Sequence, residues 1–162
     1  AGILFFNNQG DECGGLVYNV AKEKNSTNSG MSFTMDNYHN DQVVQILNDE
    51  TYNGNNSSDI QRGIMVNEFP EGADFNATND KYQAILKIKD TNQREAQLNA
   101  LFDKEGSRRR LFLGRNRDNK SGLFLYDSEG NPKMKIYVDK QGTPRFEVID
   151  NSGKINDILS RK

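Results

Sequence analysis

The sequence predicts a mainly β fold: an antiparallel meander that is closed or nearly closed into a barrel or sandwich, with two short α-helices around residues 79–105. Two observations predict the strands: apolar-alternating runs in the N-terminal half, and a C-terminal third in which such runs are separated by Asp-x-x-Gly units. A third observation predicts the helices, because apolar residues between these two regions recur at helical spacing.

The length and charge of the chain limit its domain organisation and the class of partner it can bind. With 162 residues, the chain can form a single domain, 1–162, that buries roughly 70% of the surface of its unfolded state. We divide it into an N-terminal strand region 1–72, a helical insertion 78–105 and a C-terminal β-meander 107–156. Its 21 Lys and Arg residues against 23 Asp and Glu residues give a formal charge of −2. This balance argues against a nucleic-acid partner, since phosphate backbones attract basic surfaces.

Five strand-like runs fill the N-terminal region: ILFFN, GGLVYNV, GMSFTMD, QVVQIL and RGIMVNEF. The Asn-rich segments AKEKNSTNSG and NDETYNGNNSSDI between them are predicted to be loops. In MSFTM, the period-two alternation predicts a half-buried strand with Thr34 facing outward and three apolar side chains facing inward, which are Met31, Phe33 and Met35.

The two helices follow from i, i+3, i+4 spacing in NDKYQAILKIKD and TNQREAQLNALFDKEG. The apolar residues at this spacing are Tyr82, Ile85 and Leu86 in the first segment, and Leu98, Leu101 and Phe102 in the second. Asn92 and Glu95 have the spacing of a capping box, and Gly106 is a suitable stop for the second helix.

The C-terminal meander follows from the Asp-x-x-Gly unit, which occurs at 103–106, 127–130, 139–142 and 150–153. Asp at the first position and Gly at the fourth suit a hairpin turn that closes on a residue of positive φ. A further member is expected near 115–118, where RNRDNKSG supplies a longer turn. Neither an EF-hand loop nor a calcium-binding nonapeptide repeat is present, so these units do not indicate a calcium site.

The strands of this meander have two different faces. One face is aliphatic, and it carries Leu111, Leu113, Leu123, Leu125, Met134, Ile136, Val138, Phe146 and Val148. The other face carries Phe112, Phe124, Tyr126, Tyr137 and Ile149, which is more apolar than a solvated face should be. Either a second layer, made by the helices or the N-terminal strands, covers this second face, or part of it is a surface for a ligand or partner.

The segment DNYHNDQV, residues 36–43, is the main candidate for a functional site. An enzyme could use Asp36 or Asp41 with His39 as an acid/base pair. Alternatively, Asp36, Tyr38, Asp41 and Gln42 form either a hydrogen-bonded corner of the fold or a site for a small molecule or ion. We expect Asp41 and Gln42 to be partly buried and His39 to face solvent.

Other chemistry is excluded by composition. One Cys and one His, Cys13 and His39, cannot form a His/Cys zinc cluster, and the chain has no P-loop, no G-x-G-x-x-G and no G-x-S-x-G motif. We therefore predict no cofactor, no metal and no assigned catalytic residue. The basic run Arg108–Arg110 is explained as charge at a strand end.

The phrases FFNNQGDECGGLVY and MSFTMDNYHNDQV, together with the C-terminal meander, resemble a bacterial family of uncharacterised proteins. Its members carry F-F-N-x-x-G-x-E-x-G-G-L, then S-F-D-Q-Y-x-Q-D-Q, and the resemblance runs across almost the whole chain. Cys13 replaces the usual Asn, Thr34 and Met35 interrupt the second phrase, and His39 falls at a variable position. The resemblance implies an extracytoplasmic location, periplasmic or membrane-anchored through a segment outside this chain, and it implies no activity.

The strand-like start AGILFF leads us to expect that a native segment precedes Ala1. For function, the sequence favours a non-enzymatic structural or interaction domain, because hairpin turns and core packing account for every motif that can be recognised in it. Two alternatives stay open: a barrel interior that binds a small apolar molecule, and an enzyme that uses Asp36 and Asp41. The partner is accordingly expected to be a protein or a small apolar molecule.

Overall fold

The computed structural model describes residues 1–55 and 57–160, which form ten strands and two helices. The first five strands are β1 (Gly2–Phe6), β2 (Glu12–Lys22), β3 (Ser26–Asp36), β4 (Gln42–Asn53) and β5 (Ser58–Glu68). The helices α1 (Phe75–Leu86) and α2 (Thr91–Glu105) follow. The remaining strands are β6 (Arg108–Arg115), β7 (Ser121–Tyr126), β8 (Pro132–Val138), β9 (Pro144–Ile149) and β10 (Ile155–Asp157).

All ten strands belong to one sheet, in chain order, and each strand is antiparallel to its neighbours. The mainly β antiparallel meander with two helices is therefore confirmed. Among the described residues β1 and β10 are the two edges and do not pair with each other, so the sheet is not closed. A barrel interior for an apolar ligand would need that closure.

The N-terminal strands are longer than their sequence predicts. The predicted loops 21–30 and 48–60 are largely strand, because β2–β3 and β4–β5 continue as ladders well beyond their apolar centres. The Asn side chains do not prevent this pairing, since ladder bonds come from the backbone. The Asn28 side chain adds a bond between strands, since its Oδ1 accepts from Thr51 Oγ1 across β3 and β4 at 2.9 Å.

One hairpin turn recurs along the sheet. At Asp127, Asp139 and Asp150 the side-chain Oδ1 accepts from the backbone N–H groups two and four residues later, and the glycine at the fourth position has φ near +80°. Asn7 makes the same two bonds in the β1–β2 turn. Asn116 begins the β6–β7 turn, which closes on Asn119 at φ 59° and matches the others in length.

Three sequence predictions near the helices are corrected. The unit at 103–106 is the end of α2, where the Gly106 N–H donates to the Phe102 carbonyl at 2.9 Å, and not a hairpin turn. The N-cap of α2 is Asp90, whose Oδ1 accepts from Gln93 N, and not Asn92 of the supposed capping box. Asp90 takes this role because it stands immediately before Thr91, the first residue of the helix. In the same way Asp74 caps α1, which starts before residue 79.

The helices pack mainly on each other, with the rings of Tyr82 and Phe102 6.0 Å apart. Leu101 is their one buried side chain among the described residues. Neither of these helices is long and apolar enough to cross a membrane.

The aromatic face of the sheet is the one that carries Phe112, Phe124 and Tyr137, which form a buried cluster. Their ring centroids are 5.8–5.9 Å apart from one strand to the next. The apolar side chains packed against this cluster, Met65 and Tyr126, belong to the same sheet. Cover for these rings thus comes from neighbours in the same sheet, including β5, and not from the second layer of helices or N-terminal strands that the sequence predicted.

The opposite face is the apolar face, and the register arranges it in two cross-strand rows. The first row runs through nine strands: Ile3, Leu16, Phe33, Ile46, Ile64, Leu113, Leu123, Ile136 and Phe146. The second row is Phe5, Gly14, Met35, Val44, Val66, Leu111, Leu125, Met134 and Val148. None of the side chains in these rows is buried.

The predicted orientation of MSFTM is therefore wrong. Thr34 is 6% exposed, whereas Met31 and Met35 are among the exposed apolar residues. Thr34 lies on the aromatic face opposite Gly15, whose N–H donates to its Oγ1 at 3.1 Å, so the hydroxyl is satisfied in a buried position. Alternation identified the two faces correctly but could not show which one is covered.

Candidate functional site

The segment predicted as a site is the β3–β4 hairpin turn. Asn37 N donates to the Asp41 carbonyl at 3.0 Å, and Asn40 N donates to the Asn37 carbonyl at 2.9 Å. The turn differs from the repeated Asp/Asn turn because the positive φ, 53°, falls on His39 at the third position. His is among the residues that tolerate this conformation. The histidine of the segment is thus first of all a turn residue.

Asp36 is the most perturbed group of the turn. It lies at a bulge at the end of β3, and its Oδ1 is buried without a hydrogen-bond partner. The pKa of Asp36 is raised, mainly because burial disfavours the carboxylate and further because the Asp41 and Glu12 carboxylates repel it. A carboxyl in this environment holds its proton to higher pH than an exposed one.

The other three predicted residues make local contacts. Asp41 Oδ1 accepts from Gln42 N at 2.8 Å, and Gln42 Oε1 accepts from the Gln45 side-chain amide. Tyr38 is exposed, and its hydroxyl donates to Gln9 Oε1 in the β1–β2 turn at 3.2 Å. Asp41 and Gln42 are partly buried.

The turn borders an open cleft of about 350 Å³. Asp36, Asp41 and Gln42 line it with residues of the β1–β2 turn, the β3–β4 turn and α1, which are Asp11, Glu12, His39, Asn40, Phe75 and Asn76. Tyr38 is not part of this lining. His39 Nδ1 lies 3.6 Å from Asp11 Oδ2, and nearly half of the His39 side chain is exposed. The structure thus brings three of the four predicted residues together at an acidic cleft.

The same turn holds the helical insertion. Phe75 N donates to the His39 carbonyl at 3.2 Å, and Asn40 Nδ2 donates to the Ala73 carbonyl at 3.0 Å. Within residues 1–55 and 57–160, no group of three or more His, Cys, Asp or Glu side chains is arranged to hold a metal ion. The contacts of the turn therefore support a structural corner that docks α1 beside the β3–β4 hairpin.

The basic run of β6 is engaged within the chain. Arg108 donates to the carbonyls at the end of α2, and Arg110 pairs with Glu68. The Arg109 guanidinium lies 5.9 Å from the centroid of the Phe112 ring. Arg117 in the next turn bonds to Asp49 and Asp59. These arginines are thus engaged in contacts within the chain.

The apolar face is a second candidate site, and sequence reasoning treated its residues as core. Six residues of the first row are exposed: Ile3, Leu16, Ile46, Ile64, Leu113 and Ile136. Soluble proteins rarely expose a contiguous apolar patch of this extent unless it meets a partner. The signal was present in the sequence as alternation in every strand, but only the register joins the strands into continuous rows.

No protein-family model, no curated protein and no solved structure matches this chain. The two sites described above therefore stand on their geometry alone.

Proposed function

We propose that this chain is a non-enzymatic interaction domain that docks a protein surface through its apolar face. The observation that carries the proposal is the pair of cross-strand rows, which hold seventeen apolar side chains over nine strands, none of them buried. A sheet with one apolar face gains stability when that face is buried against another layer.

The opposite face supports the same conclusion by contrast. The aromatic face is already closed by internal bonds, such as that from the Tyr137 hydroxyl to Glu147 Oε1 at 2.6 Å. Arg145 and Asp157 are joined there at 2.9 Å. Bonds of this kind join neighbouring strands of the aromatic face within the chain, whereas the apolar rows of the other face contain no charged or hydrogen-bonding side chain.

The test introduces a cross-strand pair of opposite charges, Ile46→Lys with Ile64→Glu, into the middle of the first row, where the two residues are paired. If the face is a docking surface, the dilute variant keeps the β-rich far-ultraviolet spectrum and the unfolding temperature of the wild-type chain at the same concentration. Its binding of a fluorescent apolar dye falls severalfold, because the apolar surface is interrupted.

A variant that unfolds at a dilution where the wild-type chain is folded would overturn the proposal. Such a result would mean that the two isoleucines belong to an intrachain core. Replacing Val17 by Lys provides the control for surface charge, since Val17 is also partly exposed but lies on the aromatic face.

A further inference from the structure

We infer that the partner of the apolar face is a second copy of this chain, packed sheet against sheet in a twofold-symmetric sandwich. The inference rests on the docking function proposed above and goes further by naming the occupant. Three properties of the face support it: the surplus of exposed surface, the dimensions of the two rows and the distribution of charge around them.

The chain exposes more surface than a compact protein of its mass. Its accessible area is 10889 Å² for 18.4 kDa, whereas the scaling for folded monomers gives about 8,200 Å². The surplus is thus roughly 2,700 Å². A single-layer sheet has this surplus because one of its faces lacks a covering layer.

The dimensions of the rows match a stable dimer interface. Nine strands spaced about 4.8 Å apart make a strip roughly 43 Å long, and two rows of side chains make it about 14 Å wide. The strip covers about 600 Å² per copy. Two copies would bury roughly 1,200 Å² in total, which is the lower end of the standard size of a specific protein interface.

The charge distribution suits a self-complementary contact. Neither row contains a charged side chain. Two charged residues of this face, Arg62 and Arg115, lie in the row beside Ile64 and Leu113 that also contains Tyr18 and Met31. Arg62 donates to Asn48 Oδ1 at 2.6 Å and pairs with Glu50, while Arg115 donates to the Ile60 carbonyl at 2.6 Å. At the rim Arg62 would keep its pair with Glu50 and Arg115 its bond to the Ile60 carbonyl, so two copies could meet along the two rows without burying either charge.

A partner for this strip must itself be long, narrow and free of charge over nearly the whole width of a ten-stranded sheet. A second copy meets this requirement by construction, because an isologous interface joins the same patch on both subunits. Aligned sheets pack face to face about 10 Å apart with interdigitated side chains. The rows of β-branched, Leu, Met and Phe side chains supply such a surface.

The experiment measures the mass of the wild-type chain in solution by light scattering across a concentration series. We expect a mass of twice 18.4 kDa at micromolar concentration, and an unfolding temperature that rises with concentration because association stabilises the folded chain.

The matched variants are Leu16→Lys and Val17→Lys, adjacent in β2, equally exposed at 37% and on opposite faces. Leu16→Lys should raise the dimer dissociation constant at least tenfold, and Val17→Lys by less than twofold.

Two results would overturn the second-copy inference. A wild-type chain that is monomeric at 100 µM would leave the face free for a different partner. A dimer that Leu16→Lys and Ile46→Lys do not weaken would point to pairing through the edge strands β1 and β10. Neither result would contradict the docking function, which fails only if charge in the rows unfolds the dilute chain. The far-ultraviolet spectrum of each variant shows whether it is folded.

Discussion

The two faces of the sheet are built from the same ten strands, yet only the aromatic face contains a buried cluster of side chains. Consecutive residues of β6 show the difference: Phe112 is 1% exposed and Leu113 is 47% exposed. On the aromatic face, Gly63, Gly114 and Gly122 stand side by side across three strands, and a Cβ at any of them would overlap a carbonyl oxygen of a neighbouring strand. On the apolar face, the same three strands carry Ile64, Leu113 and Leu123. None of the side chains in the two apolar rows is buried. Apolar side chains of this sheet thus differ in burial according to the face on which they lie.

The most severe test of this comparison removes one side chain from each face. Phe112→Ala should lower the free energy of unfolding by about 3–5 kcal/mol, because it deletes the most buried ring of the cluster. Leu113→Ala should cost about 1 kcal/mol or less in the dilute chain, since the leucine is half exposed. Urea unfolding of both variants provides the comparison, and equal losses would refute the asymmetry of the faces.

The glycine row is tested by adding a single methyl group. Gly114 has φ 151°, and a Cβ there would overlap the Arg62 carbonyl oxygen on β5. Gly114→Ala should therefore cost about 1–3 kcal/mol. Gly30→Ala is the control on the same face, because only Asp49 Oδ1 lies within 4 Å of its added Cβ. We expect Gly30→Ala to be neutral or to stabilise by about 0.5 kcal/mol; a loss as large as that of Gly114→Ala would show that the row has no special role.

The hydrogen bond of Tyr137 on the aromatic face gives a pH-dependent prediction. Burial and the bond to Glu147 raise the pKa of Tyr137 to about 12. A group with a raised folded-state pKa contributes stability that is complete below its unfolded value, about 10, and is lost as the pH rises through 12. Tyr137→Phe should cost about 1 kcal/mol at neutral pH. It should also flatten the loss of stability between pH 10 and 12, and an unchanged alkaline profile would contradict this assignment.

The smallest expected effect concerns the ion pair at the edge of the aromatic face. Asp157 accepts from Arg145 Nη1, Leu159 N and Phe146 N, and these bonds and the Arg145 charge hold the pKa of Asp157 below its usual value. The contribution is present above pH 4 and is lost as the pH falls through that lowered pKa. Asp157→Asn should lower the unfolding temperature by about one or two degrees at pH 7. A difference that persisted at pH 2 would exclude the carboxylate charge as its cause.

The candidate site was predictable in part. Sequence reasoning selected Asp36, Asp41 and Gln42, which the structure places at one cleft, because polar residues concentrate where a strand ends and a turn begins. It could not predict that Tyr38 lies outside this cleft and that its hydroxyl donates to Gln9, because this contact joins two turns far apart in sequence. It also could not anticipate that Asn7 and Asn116 replace Asp in the repeated turn, where the amide oxygen accepts two backbone bonds at Asn7 and one at Asn116.

By itself, the sequence determined the strands of the C-terminal half, the turns that join them and the division of each strand into two faces. These features depend on residues within a few positions of one another, since turn chemistry and period-two alternation are local. Only the tertiary structure decided which face is covered and that apolar residues from nine strands align in rows. Register and cover depend on contacts between distant segments, such as Ile3 with Leu16 and Ile64 with Leu113. Alternation alone cannot distinguish an inner face from an outer one, because both have the same period.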